Sequence, residues 1–564
     1  MTPTEATSAP VRTARTVSAC LAYHRANAVA DAHGVVDTAT LSVIVDACAD
    51  SLRVRGIQPG EPVAVRVPPS AAGIGAVLGV WLAGGVLVPL DPTQPLLRQQ
   101  QILDAVGVRL VISAGADTHS CAVTDTGNPA RTIGAGSDAA YVIHTSGSTG
   151  VPKGVVCTHT ALVNVVRAQR DVFQLGPADR VAQLAPWCVD AFLFEVLLAL
   201  TAGARLDIAK PDDRYPGPPV ERFLGNGRAT TIVATPSVLR ALDPHQLPDL
   251  RLVISAGEAL PPDLARTWAA GHRLVNAYGV TEATIWSTYA ELDEKTLAAG
   301  GPVLLGQPIP GCSLTILDPH PDGAGELCIA GDGLALGYLD RKDLTTERFP
   351  IGPHGRVFRT GDLVIREDPD HLRFVGRDDE QVKLGGLRVE LGEVRHVLTQ
   401  HPDVHDCAVR QDGNRLVAYV VPAVGAVHRH ALTEWMEQRL PIQMVPSLYV
   451  PMTKLSLTAW GKLDITALPS PADAVAAQQE PETEPESSTQ TRLAHIASEL
   501  LDLPSISLRD DLFLLGMTSL TMARFLRRVI DDLHAEIEPI DVFENPTIAE
   551  LAVIVDKHIL GSSA

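Results

Sequence analysis

Between Ser470 and Gln490 the chain reads SPADAVAAQQEPETEPESSTQ, rich in Pro, Glu and Gln and poor in large apolar side chains. A segment of this kind buries too little apolar surface to offset the cost of ordering it, and its acidic charges keep it extended. It forces the chain to fold as separate units on either side. The total of 564 residues also exceeds what one core holds, since domains run to roughly 100–200 residues. Up to about residue 377 short apolar strands alternate with helical stretches, as at Pro62 to Val67, Leu110 to Ser113, Thr231 to Ala234 and Arg251 to Ser255. Such alternation predicts an α/β architecture. From Gly376 to Arg395 the run GRDDEQVKLGGLRVELGEVR is dense in charge and glycine, as a hinge is expected to be. A smaller α+β pattern then continues to about Leu468. Past the linker, Leu493, Ile496, Leu500 and Leu501 have helical spacing, and Asp510 to Ile530 and Asp541 to Val555 complete a bundle of short helices. The expected division is a large α/β domain (1–377), a small α+β subdomain (378–469), the acidic linker (470–490) and an all-α four-helix domain (491–564).

A formal net charge of −20 argues against nucleic acid as a partner, because such binding needs a basic footprint. Any anionic ligand must then be held by local groups. The eight cysteines are scattered with no CxxC pair, which indicates neither a zinc knuckle nor a disulfide framework and fits a reducing cytoplasm. The N-terminus, MTPTEATSAPVRTARTV, lacks the apolar core of a signal peptide. Ala71 to Leu90 mimics a membrane span in length and lack of charge. Gly73, Gly75, Gly79, Gly84 and Gly85 interrupt it, however, and Pro89-Leu90-Asp91 ends it abruptly. The expectation is a buried helix passing into a buried strand, with no membrane involved.

Tyr141 to Gly154, YVIHTSGSTGVPKG, is an apolar run that breaks into a loop of Thr, Ser and Gly and closes on a lysine. Hydroxyls of Thr145, Ser146, Ser148 and Thr149 can donate to phosphate oxygens, while Gly147, Gly150 and Gly154 let backbone N–H groups approach an anion. Lys153 adds a point charge. A Walker A loop requires Gly-Lys-Ser/Thr directly before a helix, whereas here Pro152 precedes the lysine and Gly154 follows it. The run resembles the phosphate-loop signature of adenylate-forming enzymes, the superfamily of acyl-CoA synthetases, luciferases and nonribosomal peptide synthetase adenylation domains. Pro89-Leu90-Asp91 is similar to another motif of that family.

Further segments match the family in order, and the resemblance implies their roles. In NAYGVTE, from Asn276 to Glu282, Tyr278 would pack on adenine, Thr281 would bond the α-phosphate and Glu282 would hold Mg²⁺, a hard cation suited to carboxylate and phosphate oxygens. Gly257, Glu258 and Asn276 would join the ATP site. In RTGDL, Asp362 would accept from both ribose hydroxyls, with Arg377 beside it. Asp378 matches the hinge residue about which the family's small domain reorients between half-reactions. Lys462 would bridge the substrate carboxylate and the α-phosphate while pyrophosphate leaves, so that electrostatic clamping carries most of the catalysis. Gly385, Gln443, Trp460 and Ile465 depart from residues usual in the family, and the departures bear on domain alternation more than on adenylation.

Asp190, in WCVDAFLFEVLLAL, matches the aspartate that pairs with the α-ammonium in amino-acid-activating members; without the resemblance it is an N-cap for the apolar helix that follows. By the same alignment Ala191, Phe194, Val233, Ile254, Ala256, Ala277, Ile285 and Trp286 line the side-chain pocket, with Asp190 and Lys462 at its polar ends. None of the eight is charged, so an unpaired ionised side chain is excluded. The substrate is expected to be a neutral, largely apolar amino acid, aliphatic such as valine or proline first and aromatic second.

In DLFLLGMTSL a serine opens a helix, as a cap residue does. The stretch resembles the 4′-phosphopantetheine attachment site of carrier proteins, with Ser519 as acceptor, although Met517 and Thr518 depart from the usual pattern. The implied thiol would attack the aminoacyl adenylate and store the amino acid as a thioester, helped by the high effective concentration a tether provides. Neither a condensation motif HHxxxDG nor a thioesterase motif GxSxG occurs, so the amino acid is expected to pass to downstream tailoring or condensation enzymes. A phosphopantetheinyl transferase is implied as a partner, and an MbtH-like protein is a further candidate. The alternatives are an acyl- or aryl-CoA ligase, opposed by Asp190 and the carrier, and a silent carrier or scaffold, opposed by the retained Lys153, Glu282, Asp362 and Lys462.

Overall fold

The computed structural model describes residues 28–134, 138–147, 152–298, 300, 302–317, 323–352, 355–368, 371–379, 381–384, 386–413, 415–425, 427–456, 463, 464, 467–471, 487–501, 503, 505–513 and 515–562. Lys462, Ser148, Thr149, Gly150, Gly385, Trp460, Ile465 and most of the acidic linker lie outside these residues. Among the described residues two large sheets form the body of the large domain. One has nine strands, with Thr231–Ala234, Leu252–Ala256 and Arg273–Tyr278 side by side near its middle. The other has seven, in which Ala139–Thr145 pairs antiparallel with Lys153–Thr158 on either side of the Ser/Gly loop. A five-stranded sheet around Gly355–Asp368 follows them in the chain.

Side chains from both large sheets and from the helices Thr38–Val54, Ala71–Leu82, His159–Phe173 and Ala191–Ala202 form one apolar core. The segment that mimicked a membrane span is the helix Ala71–Leu82 running into the strand Val86–Pro89. It is apolar all round because it is buried all round. Its glycines mark close helix packing: a Cβ on Gly79 would stand 2.8 Å from Cys48 Cβ, and one on Gly75 would overlap Ile44. Among the described residues no helix is long and apolar enough to cross a membrane, and no disulfide joins the seven described cysteines.

The small subdomain begins with the hairpin Gln381–Leu384 and Leu387–Glu390. Helices Leu391–Thr399 and Arg429–Glu437 then pack on the three-stranded sheet Val404–Asp412, Arg415–Pro422 and Leu448–Pro451. After the linker the described residues form four helices, Ser488–Leu501, Ser519–Leu533, Pro539–Glu544 and Ile548–Ser562. They close around Leu493, Ile496, Met522, Phe525, Val529, Val542, Leu551 and Val555. The helical domain rests on the large one. Arg527 pairs with Glu221, and Arg222 reaches Glu536 and Glu538, each at 2.9 Å. Phe543 lies between Phe513 and Tyr215, at ring distances of 5.0 and 6.0 Å.

Strand and helix ends differ from the sequence expectation by a residue or a few: the strand expected from Arg251 starts at Leu252, and the first helix of the domain expected from residue 491 starts at Ser488. Such shifts are ordinary at element termini. Asp190 does hold the N-cap position of Ala191–Ala202, but it is in the αR region and its side chain makes no capping bond. The same helix buries a second carboxylate. Glu195 accepts from the amides of Leu184 and Ala185, at 3.1 Å each, and from Gln183 Nε2 at 2.9 Å. Burial pushes its carboxyl up to about 7. These bonds fix the turn that leads from the strand Arg180–Gln183 towards Asp190. Glu195→Leu is therefore expected to destabilise the large domain by about 1–3 kcal/mol for each amide left without an acceptor, read as a lower temperature of its unfolding transition; a wild-type transition would show that the bonds are dispensable.

Candidate active site

Register sets which of the expected pocket residues face together. In the parallel strands Val233 pairs with Ile254, and Ala256 with Ala277. Because side chains alternate faces with a period of two, Val233, Ile254, Ala256 and Ala277 share one face of the nine-stranded sheet. Opposite stands the helix Ala191–Ala202, which carries Ala191 and Phe194. Trp286 closes the wall: it stacks on Phe173 at 5.1 Å and meets Phe194 edge-on at 5.5 Å. Phe173, at the end of the helix His159–Phe173, is a wall-supporting residue that the motifs did not point to.

Ile285 and Trp286 arrive by a tight fold-back. Thr284 and Ile285 have φ of 57° and 74°, a costly region for β-branched residues, of order 1–3 kcal/mol each. The amide of Ser287 donates to Tyr278 O at 2.8 Å, and a Cβ on Gly279 would collide with Trp286 Cα. Glycine at 279 is what lets the returning chain lie against the strand end. Strain at this turn is thus held by packing on both sides.

Asp190 sits at the polar end of the wall. One carboxylate oxygen, Oδ2, is buried with no hydrogen-bond partner among the described residues. Burial pushes the carboxyl up to about 6, against which a hydrogen bond from the Thr281 side chain works. A buried carboxylate with an empty acceptor is suited to an incoming cation such as an ammonium. Trp286 Nε1 is likewise buried and without a partner.

The groups assigned to ATP lie close by. Tyr278 donates to Asp362 Oδ2 at 2.6 Å, and Arg377 pairs with the other oxygen of that fully buried carboxylate. Lys383 Nζ stands 5.6 Å above the Tyr278 ring. Asn276 bonds Leu304 O at 2.7 Å, so its side chain braces the strand. Glu258 accepts from Ser237 and, at 2.8 Å, from the amide of Gly386, which lies opposite Gly257. Asp378 donates its amide to Gly361 O at 3.1 Å. Thr145 is buried and its hydroxyl has no partner among the described residues.

The hairpin of the small subdomain occupies the remaining polar groups. Ser146 Oγ donates to Arg388 O at 2.8 Å and accepts from Glu390 N at 3.0 Å. The amide of Gly147 donates to Glu393 at 3.0 Å, and Arg98 pairs with the same buried carboxylate. Lys153 lies 3.4 Å from Glu390; burial and the nearby Arg388 bring its ammonium down to about 8. Glu282 is fully buried, between Tyr338 OH and Arg388, each at 2.7 Å. Burial alone would raise the Glu282 carboxyl, but Arg388 and Lys153 hold it at about 2. Its carboxylate is thus held as an anion by the cations beside it, the oxygen chemistry that a Mg²⁺ ligand requires. Arg98, Arg388, Glu390 and Glu393 were not legible as site residues, since the last three sit in a charged run that reads as a hinge.

Comparisons with known proteins bear on this arrangement. Residues 22–339 match the AMP-binding enzyme model, residues 393–462 the AMP-binding enzyme C-terminal domain, and residues 491–553 the phosphopantetheine attachment site. Novobiocin biosynthesis protein H of Streptomyces niveus is 37% identical, with 88% of each chain covered. Chondramide synthase cmdD of Chondromyces crocatus is 35% identical over 93% of this chain, which spans 14% of that synthase. Bacitracin synthase 3 of Bacillus licheniformis is 34% identical over 90% of this chain, which spans 8% of its length. Among solved structures, holo-PA1221, an NRPS protein containing adenylation and PCP domains, aligns with a TM-score of 0.79 and 26% identity, covering 96% of this chain and 97% of that one. The α/β body, the small subdomain and the helical carrier thus occur together in a known order, and the chain belongs to the AMP-binding enzyme family, as an ATP-dependent, AMP-forming adenylation domain of nonribosomal peptide synthetase type joined to a phosphopantetheine carrier domain.

Proposed function

We propose that the chain activates a neutral amino acid with a small or medium aliphatic side chain and loads it onto its own Ser519. The observation that carries this is the buried Asp190 carboxylate with one oxygen unpartnered, set at the edge of an uncharged wall. An α-ammonium would satisfy Asp190. The wall gives no partner to a second charge. Phe173, Phe194 and Trp286 pack on one another and fill the far end, so the space left beside Ala191, Ala256 and Ala277 favours valine or proline over an aromatic side chain.

In the first half-reaction a substrate carboxylate oxygen forms a bond to the α-phosphorus and the bond to pyrophosphate breaks. Ser146, Gly147 and Lys153 would hold the polyphosphate, together with Thr145, Ser148, Thr149 and Gly150. Tyr278 would face adenine, Asp362 and Arg377 would hold the ribose, and Thr281 and Lys462 would bond the α-phosphate and the carboxylate. Mg²⁺, held by Glu282, would neutralise charge on the transferring phosphate. Asp378 would be the pivot that brings the carrier in. The phosphopantetheine arm, attached to Ser519 by a phosphopantetheinyl transferase, would supply the thiol that takes the acyl group from AMP. Ser519 begins the helix Ser519–Leu533, whose Arg527 anchors to Glu221 of the large domain. Downstream tailoring or condensation enzymes would receive the product, and co-purification with an MbtH-like protein would identify that partner.

Amino-acid-dependent ATP–pyrophosphate exchange across an amino acid panel tests the proposal, with valine- or proline-sized substrates expected to lead; no exchange with any amino acid by folded protein would refute it. Trp286→Ala should open the far end and raise kcat/KM for phenylalanine relative to valine by roughly tenfold or more. An unchanged ratio would place Trp286 outside the pocket.

Asp190 gives a pH signature. Below about 6 its carboxyl takes up a proton and ceases to attract the ammonium, so KM for the amino acid should rise as pH falls through that value. Asp190→Asn should make KM high and flat with pH, a loss of roughly 2–5 kcal/mol in binding. A profile unchanged by that substitution would remove Asp190 from the site.

Ser519→Ala should retain exchange and abolish covalent loading. Arg527→Glu should retain exchange and slow loading by roughly three- to tenfold, through repulsion from Glu221. Covalent loading that survives Ser519→Ala would refute the acceptor assignment.

A further inference from the structure

Close to Asp190 lies a group of polar side chains to which the adenylation chemistry gives no task. Tyr141 and Cys157 stand directly opposite each other in the antiparallel pair Ala139–Thr145 and Lys153–Thr158, so their side chains leave the sheet on the same face. Both are fully buried. Cys157 Sγ donates to Thr281 O at 3.4 Å, and the same carbonyl accepts from the amide of Thr284 at 3.1 Å. That carbonyl closes the turn whose last residues, Thr284 and Ile285, have positive φ. The Tyr141 hydroxyl faces Cys157 and Thr284. It and Thr284 Oγ1 are buried and form no well-aligned hydrogen bond among the described residues.

The same turn presents the Thr281 hydroxyl and the amide of Ile285 to the Asp190 carboxylate. A buried thiol is more often a small apolar filler. Here burial pushes the Cys157 thiol up to about 12 and the Tyr141 phenol well above its ordinary range, so both keep their protons and act as donors. We propose that Cys157 and Tyr141 are positioning residues for amino acid recognition: they hold the turn Thr281–Ile285 from the strand side and, through Thr281, set the carboxylate of Asp190 that receives the α-ammonium. This rests on the role of Asp190 proposed above. Without the Cys157 donor, Thr281 O keeps one bond in place of two, and the turn that aligns Asp190 is free to relax its costly backbone. A misaligned carboxylate binds an ammonium less well. Glu282, on the same turn, is pinned separately by Tyr338 and by the amide of Ala335, and Tyr278, Asp362 and Arg377 hold one another, so the ATP groups stay in place.

ATP–pyrophosphate exchange by the full-length protein reads the effect, with the amino acid that leads the panel as substrate. Cys157→Val, which keeps the bulk and removes the donor, should raise KM for that amino acid about five- to tenfold, while kcat and KM for ATP stay within about twofold. Tyr141→Phe removes a single oxygen atom and should act in the same direction, giving the same reading if Cys157→Val does not fold. Cys157→Ser restores a donor and should lie within about twofold of wild type. In the Asp190→Asn background Cys157→Val should add less than about twofold, since the residue through which it acts is already lost. A wild-type KM in Cys157→Val and Tyr141→Phe, KM values for amino acid and ATP that rise together, a Cys157→Ser variant that behaves like Cys157→Val, or a full additional rise in the Asp190→Asn background each overturn the inference. Asp190→Asn with an unchanged KM for the amino acid defeats the proposed role of Asp190 itself, whereas an Asp190 effect with none from Cys157 or Tyr141 defeats the positioning role alone.

Discussion

Glu282 is a carboxylate with no exposed surface, and much of the cleft is arranged around how it is neutralised. Its turn, Thr281–Ala283, is pinned from behind, where Ala335 N donates to Glu282 O at 2.9 Å. Tyr338 OH takes one carboxylate oxygen and Arg388 the other. A hydroxyl can hydrogen-bond the anion, but only a positive charge repays its removal from water. The hairpin brings that cation as Arg388 and sets anions, Glu390 and Glu393, against the buried Lys153 and Arg98.

The apolar wall beside Asp190 depends on a different constraint, the register of three parallel strands. Val233, Ile254, Ala256 and Ala277 face the same way because their strands pair without a slip, and a one-residue shift would turn every one of them to the other face. The loop that carries Ile285 and Trp286 is less favourable in itself, with two consecutive β-branched residues at positive φ. Packing overrides that cost. Trp286 is almost fully buried against Phe173 and Phe194, and the large apolar surface so buried contributes more than the local strain removes. The same arrangement leaves the Trp286 N–H without an acceptor among the described residues.

Much of the fold was legible because buried strands and helices leave continuous apolar runs. Ala71 to Leu90 could be divided correctly into helix and strand, since its glycines and the Pro-Leu-Asp stop distinguish a packed helix from a membrane span. Ser146, Gly147 and Lys153 read from their chemistry as groups for an anion; in the structure Gly147 and Lys153 face carboxylates, while Ser146 bonds backbone groups of the hairpin. Arg388, Glu390 and Glu393 belong to a run of alternating charge and glycine, and sequence gives such a run no way to differ from a solvated hinge, because their partners lie more than 100 residues away. Phe173 escaped for the same reason: in its own helix it completes an ordinary amphipathic face, and only the tertiary fold puts it under Trp286. Asp190 shows the opposite case, a residue whose position matched a cap while its side chain did not act as one.

Asp190 and Glu282 are also linked to each other. Burial is the larger cause of the raised Asp190 carboxyl, but the Glu282 charge pushes it in the same direction. A like charge nearby disfavours ionisation, and a cation placed on that neighbour relieves the penalty. Pairing Glu282 with Arg388 offsets that penalty in this structure, and the Thr281 hydroxyl links the two carboxylates by bonding one of them from the turn that carries the other.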